Sequence, residues 1–257
     1  MPFETIHGIK IYYEDHGLGE SVVFLHHGFG CTKMWNLIYP PVVAAGYRVI
    51  MYDRRGYGQS EKGDDFQQFY ESNRFRPESV RDLAVLRDKL GLDSFHIIGQ
   101  CEGGVVGVDF AAAYPDWVKT LFISSTQCYS DVTMAEFNSA HFPQPFRELE
   151  PKVRQKFIDW HGKDHAEASY DQFRKYGGAY GKDIFDLRPL LPSVPCPALV
   201  LYPDRSSLFG VEQAVAFFRG FPQGELAVLP SCGHNTYEQR PQEYTRQVLD
   251  FLTRHTA

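Results

Sequence analysis

An α/β architecture, with a mostly parallel central sheet covered by helices on both faces, is expected from three features of this chain. Short apolar, β-branched runs recur: "SVVFLHHG", "YRVIMYDRRG", "SFHIIGQC", "KTLFISST", "PALVLYPD" and "GELAVLPSCGH". Helix-patterned segments fall between them, the alternation that builds a parallel sheet. The 257 residues, 43% of them hydrophobic, suffice for one core of this kind with an insertion.

Taken in chain order, "FETIHG" and "KIYYEDHG" read as an antiparallel strand pair at one edge. The run "SVVFLH" ends in His27-Gly28-Phe29-Gly30, a loop of small residues able to turn backbone N–H groups towards a developing oxyanion. "VIMY" ends in Asp53-Arg54-Arg55-Gly56-Tyr57-Gly58-Gln59-Ser60, a turn held by charged side chains. "FHII" runs into "GQCEGG" and then the helical "VVGVDFAAAYPDWV". Between about residues 128 and 195 the strands stop. Three aromatic-rich amphipathic stretches, "MAEFNSAHF", "FRELEPKVRQKFIDWHG" and "HAEASYDQFRKYGGAYG", read as a helical cap inserted into a core formed by residues 1–127 and 196–257. Pro189, Pro192, Pro195 and Pro197 then break the helices and return the chain to the strand "ALVLY". The last strand, "LAVLP", is followed by Gly233-His234.

Composition excludes several classes. A formal net charge of -6 without long charged blocks gives no basic footprint for nucleic acid. No apolar run is long enough to span a membrane, and the N-terminal segment lacks the basic and apolar regions of a signal peptide; a cytoplasmic protein is expected. The five cysteines, Cys31, Cys101, Cys128, Cys196 and Cys232, share no metal-ligand spacing and read as reduced thiols, so no metal is expected. Neither phosphate-loop nor dinucleotide-loop spacing opens a helix, so no cofactor is expected.

The turn "GQCEGG" carries the chemistry. G-x-C-x-G between strand and helix has the shape of a nucleophile elbow, in which small neighbours permit a strained turn that lifts the central side chain above the sheet edge. A buried structural thiol is the competing reading. Its companions at the C-terminal ends of neighbouring strands, where open α/β sheets bind ligands, favour the nucleophile.

On these motifs the chain resembles the α/β-hydrolase fold family, in particular its capped esterase, lactonase and C–C hydrolase branch, from "IHGIKIYYEDHG" through "GQCEGG" and "PSCGH" to "YTRQVLDFL". The resemblance implies Cys101 as nucleophile, His234 as general base, and an oxyanion hole from the backbone N–H groups of Phe29 and Glu102, with His27 and Gly28 against the substrate. Serine is the family's usual nucleophile; a cysteine elbow is shared with dienelactone hydrolases. The family's acid is expected where Ser206 stands, and the alternative acid position after "TLFI" holds Ser124 and Ser125, so Asp204 is the nearest candidate carboxylate. A thiol excuses part of that loss, because a Cys/His couple can rest as an ion pair, and Ser206 on a histidine nitrogen is conceivable as its orienting group. The implied activity is hydrolysis of an activated small acyl compound, an enol lactone, aryl ester or thioester, through an S-acyl-enzyme. The alternative is a catalytically silent relative that binds a small ligand under the cap. The oligomeric state is not legible.

Overall fold

The computed structural model describes residues 2–177 and 184–256. Eight strands are formed among them: β1 (Phe3–Ile6), β2 (Ile9–His16), β3 (Ser21–Leu25), β4 (Arg48–Tyr52), β5 (Phe95–Gln100), β6 (Val118–Ser124), β7 (Ala198–Pro203) and β8 (Gly224–Leu229). They make one sheet in the order β1-β2-β4-β3-β5-β6-β7-β8. The pairs β1/β2 and β2/β4 are antiparallel, and every later pair is parallel. His7 and Gly8, both at positive φ, close the β1/β2 hairpin, the conformation that matches the twist of paired strands.

Ten helices accompany the sheet among the described residues: α1 (Tyr39–Ala44), α2 (Phe66–Tyr70), α3 (Phe75–Lys89), α4 (Glu102–Ala113), α5 (Met134–His141), α6 (Pro151–His161), α7 (Ala166–Tyr176), α8 (Val211–Gly220), α9 (Thr236–Gln239) and α10 (Pro241–His255). Alternate strand residues divide the core in two, because successive side chains point to opposite faces. Val23 and Leu25 of β3 pack with α3, α4 and α8 through Leu83, Val106 and Phe217. Val22 and Phe24 pack on the other face with α1 and α10 through Val42, Tyr244 and Phe251. The α/β expectation therefore holds, helices on both faces included.

Helices α5, α6 and α7 occupy the interval between β6 and β7. Gly178–Gly181, the end of the third aromatic stretch, lie outside the described residues. The interval is tied at its ends: Leu187 N–H donates to the Cys128 carbonyl at 2.8 Å and Ser130 N–H to the Phe185 carbonyl at 2.8 Å. The chain thus leaves and re-enters the sheet layer at one place. No helix among the described residues is long and apolar enough to cross a membrane.

Candidate active site

β5 ends at Gln100 and α4 begins at Glu102, so Cys101 alone makes the turn, at φ 53° and ψ −117°. That is a left-handed conformation that costs a non-glycine residue on the order of 1–3 kcal/mol and persists where surrounding contacts impose it. Here they do. A Cβ on Gly99 would stand 2.7 Å from the Gly103 carbonyl oxygen, and one on Gly103 would overlap the Leu25 carbonyl. Cys101 N–H donates to the Ser124 carbonyl at 2.8 Å, and its own carbonyl accepts Gly104 N–H at 2.9 Å. The half-buried side chain faces a cavity at the C-terminal edge of the sheet.

His234 lines the same cavity. Its carbonyl accepts from Gln100 Nε2 at 3.0 Å and from Ser125 Oγ at 2.7 Å, which tie its backbone to the ends of β5 and β6. Its ring meets Ser206: Nδ1 and Oγ are 3.3 Å apart. Asp204, the carboxylate expected nearest to the histidine, is directed elsewhere. Its Oδ1 accepts Cys232 N–H at 3.1 Å, and the Ser231 and Cys232 amides hold its carboxyl below the usual carboxylate range. Asp204 fastens the loop after β8, whereas two residues later the backbone turns Ser206 inward. Among the described residues no carboxylate lies within ion-pair distance of the His234 ring.

The electrostatics correct the expectation of a resting ion pair. Burial, and then the Glu102 carboxylate, push the Cys101 thiol up to about 12, against the opposing pull of the Glu102 and Gly28 amides and of Arg54. Burial pushes the His234 imidazole down to about 4. With no acid to stabilise an imidazolium and a carboxylate beside the sulfur, both groups are neutral at pH 7.

Phe29, expected as an oxyanion donor, has its N–H on His27 Nδ1 at 3.1 Å. The backbone amides that draw the Cys101 thiol pKa down are instead those of Glu102 and Gly28. A Cβ on Gly28 would overlap the Phe173 ring, so a side chain there would displace that ring. His27 also lines the cavity, and its Nε2–H donates to Tyr237 Oη at 2.9 Å. Phe29 contributes its side chain to the aromatic layer, packed among Phe142, Phe157, Tyr170 and Phe173.

Two features escaped the sequence reading. Arg54 Nη1 lies 2.7 Å from Glu102 Oε1 with both side chains buried, and Arg54 Nη2 donates to the His26 carbonyl at 3.0 Å. Glu102 is thus half of an internal ion pair behind the elbow, more than a residue favoured by its position in the first turn of α4. His161 of α6 accepts Gly58 N–H on Nδ1 at 3.0 Å and donates from Nε2 to the Phe29 carbonyl at 3.0 Å. One histidine therefore joins α6 to the loops after β3 and β4. Neither signal was available locally, because each partner lies tens of residues away.

The cavity has a volume of about 550 Å3. Phe142, Phe157, Trp160, Tyr170 and Phe173 supply an apolar wall, and Lys152, Lys156 and Glu238 are the charged groups along it. A small, partly apolar molecule fits this lining.

Comparison with known proteins agrees with the geometry. The chain matches the alpha/beta hydrolase fold family over residues 20–168, more than half its length, and belongs to that family. It is 29% identical, over 95% of its own length and 91% of the relative's, to 2-hydroxy-6-oxononadienedioate/2-hydroxy-6-oxononatrienedioate hydrolase 1 of Dechloromonas aromatica strain RCB. It is 23% identical, over 95% of itself and 91% of the relative, to the 2-hydroxy-6-oxo-6-phenylhexa-2,4-dienoate hydrolase of Burkholderia cepacia. Among solved structures, the enol-lactonase from Burkholderia xenovorans LB400 shares the fold with a TM-score of 0.78 at 21% identity, covering 98% of this chain and all of the other.

Proposed function

We propose that this protein hydrolyses an activated acyl compound of a small, partly apolar acid through an S-acyl-enzyme on Cys101. The observation that carries the reading is the elbow itself: a cysteine held in a strained turn, facing a cavity that a histidine also lines. In this mechanism His234 Nε2 takes the thiol proton as sulfur bonds to the acyl carbon, and the Glu102 and Gly28 amides hold the oxyanion. The leaving group departs with its bonding pair and receives the proton from His234. Water then attacks the thioester, giving its proton to His234, and the released thiolate recovers it. Residues 128–195 act as a cap that excludes bulk water.

The leaving group decides the substrate class. A thiolate departs more readily than an alkoxide, so the tetrahedral intermediate of an alkyl ester returns to reactants. An enol lactone, aryl ester or thioester goes forward. The relatives' names, an enol-lactonase and hydrolases of 2-hydroxy-6-oxo dienoates, fit leaving groups stabilised as enolates.

A second reading, ligand binding without turnover, is favoured by one observation, the absence of a carboxylate on the His234 ring among the described residues. Hydrolysis of p-nitrophenyl acetate and of a thioester panel separates the two. The expected result is turnover by the parent protein with an acetyl adduct on the Cys101 peptide, and none by Cys101→Ala. Full activity in Cys101→Ala overturns the acyl-enzyme, and a parent with no turnover leaves the binding reading.

A further inference from the structure

The hydrogen bonds around Ser206 bear on which nitrogen of His234 carries the proton. A hydroxyl accepts two hydrogen bonds and donates one. Ser206 Oγ accepts Leu208 N–H at 3.2 Å and Phe209 N–H at 3.2 Å. Both acceptor positions are taken by the backbone of its own loop. What remains is the O–H, and the group it meets is His234 Nδ1, 3.3 Å away. A carboxylate in this place would accept from Nδ1–H and leave Nε2 bare, ready to act as a base. Ser206 does the opposite.

We infer that Ser206 is a positioning residue that holds resting His234 in its Nε2–H tautomer, with a proton on the nitrogen left for the cavity it shares with Cys101. The resting imidazole is then a hydrogen-bond donor to whatever enters, suited to a carbonyl or enolate oxygen. It cannot take the thiol proton until it changes tautomer. To accept from Nδ1–H, Ser206 must release Leu208 or Phe209, so the reactive tautomer is the minor one and each turnover waits on it. This deepens the acyl-enzyme reading, on which the word reactive rests: the same loop that turns its carboxylate away from His234 also applies a brake. The orientation of the two amides makes the brake a property of the fold, because they come from the two residues that lead into the Gly210 cap of α8.

The test reads the tautomer without any turnover. Nitrogen-15 spectra of imidazole-labelled protein at pH 7 are compared with those of His234→Gln, which identifies the His234 signals among the ten histidines. The parent is expected to show a bare Nδ1 and a protonated Nε2. In Ser206→Asp the pattern inverts, and iodoacetamide labels Cys101 at least tenfold faster at pH 7, because Nε2 is then left as an acceptor in the cavity that Cys101 also lines. A protonated Nδ1 in the parent overturns the inference. If Ser206→Asp fails to fold, judged by far-ultraviolet circular dichroism, the parent spectrum alone decides. Should Cys101→Ala keep full esterase activity while the parent shows bare Nδ1, the acyl-enzyme falls and the tautomer assignment stands.

Discussion

Alkylation of Cys101 against pH turns the resting electrostatics into a rate. A thiol with the usual value near 9 is about one part in 100 thiolate at pH 7, from 10 raised to (7 − 9). A thiol pushed up to about 12 is about one part in 100,000, from 10 raised to (7 − 12). With equal access, iodoacetamide should therefore modify native Cys101 about 1,000-fold more slowly than the same peptide in urea-unfolded protein. The rate should climb tenfold per pH unit and reach no plateau below about pH 11, as long as the fold survives. Because the imidazole is pushed down to about 4, it is uncharged throughout this range, and His234→Ala should change the rate by less than about threefold. Peptide mass spectrometry after timed quenching reads Cys101 separately from the other four cysteines. A plateau between pH 6 and 8 that vanishes in His234→Ala would refute the neutral pair and restore the thiolate–imidazolium couple.

Two further outcomes follow from contacts around the site. Arg54→Leu leaves the buried Glu102 carboxylate without its partner 2.7 Å away, a loss of about 3–5 kcal/mol, or roughly 6–20 °C in melting temperature for a chain of this size. Calorimetry should show that Arg54→Leu/Glu102→Gln regains more than half of this, whereas a drop below about 3 °C in the single variant means that the ion pair contributes little. His161→Phe removes the acceptor for Gly58 N–H and the donor to the Phe29 carbonyl, at about 1–3 kcal/mol for each group left unpaired. Limited proteolysis should then cut between α5 and α7 at lower protease concentration while the sheet domain persists, and unchanged cleavage would show that the aromatic layer alone fastens α6.

The parts of the site that were legible in the sequence are those made by consecutive residues. "GQCEGG" specifies its turn because Cβ atoms on the glycines around the cysteine would meet backbone or Thr126. Gly233-His234 and the His27–Gly30 loop announce themselves by following apolar strands. What sequence cannot supply is the direction of a side chain within an irregular loop. Asp204 and Ser206 are two residues apart, and the hydrogen bonds of Asp204 to the Ser231 and Cys232 amides decide that the carboxylate serves the β8 loop while the hydroxyl meets the histidine. The Arg54–Glu102 pair was hidden for a topological reason. Arg54 follows β4 and Glu102 follows β5, and β3 lies between these strands, a separation of about 10 Å across two strand spacings. Only two long side chains reaching over His26 close that gap, and strand order is not written locally.

The two departures from a serine–histidine–acid site bear on each other. A serine hydroxyl needs a base strengthened by a carboxylate, so a serine elbow facing Ser206 would lack its means of deprotonation. Sulfur begins with a lower pKa, but burial and Glu102 return most of that advantage by moving the thiol to about 12. What sulfur retains is its quality as nucleophile and as leaving group, and the second of these works against substrates with poor leaving groups. Under the acyl-enzyme reading, such a site is slow with alkyl esters on two counts: few molecules hold the reactive tautomer, and each intermediate formed mostly collapses backwards. On that reading an enol or thiol leaving group removes the second obstacle and accepts the Nε2 proton directly, so Cys101, His234 and Ser206 together would select substrates by the stability of the departing anion more than by the shape of the acyl group.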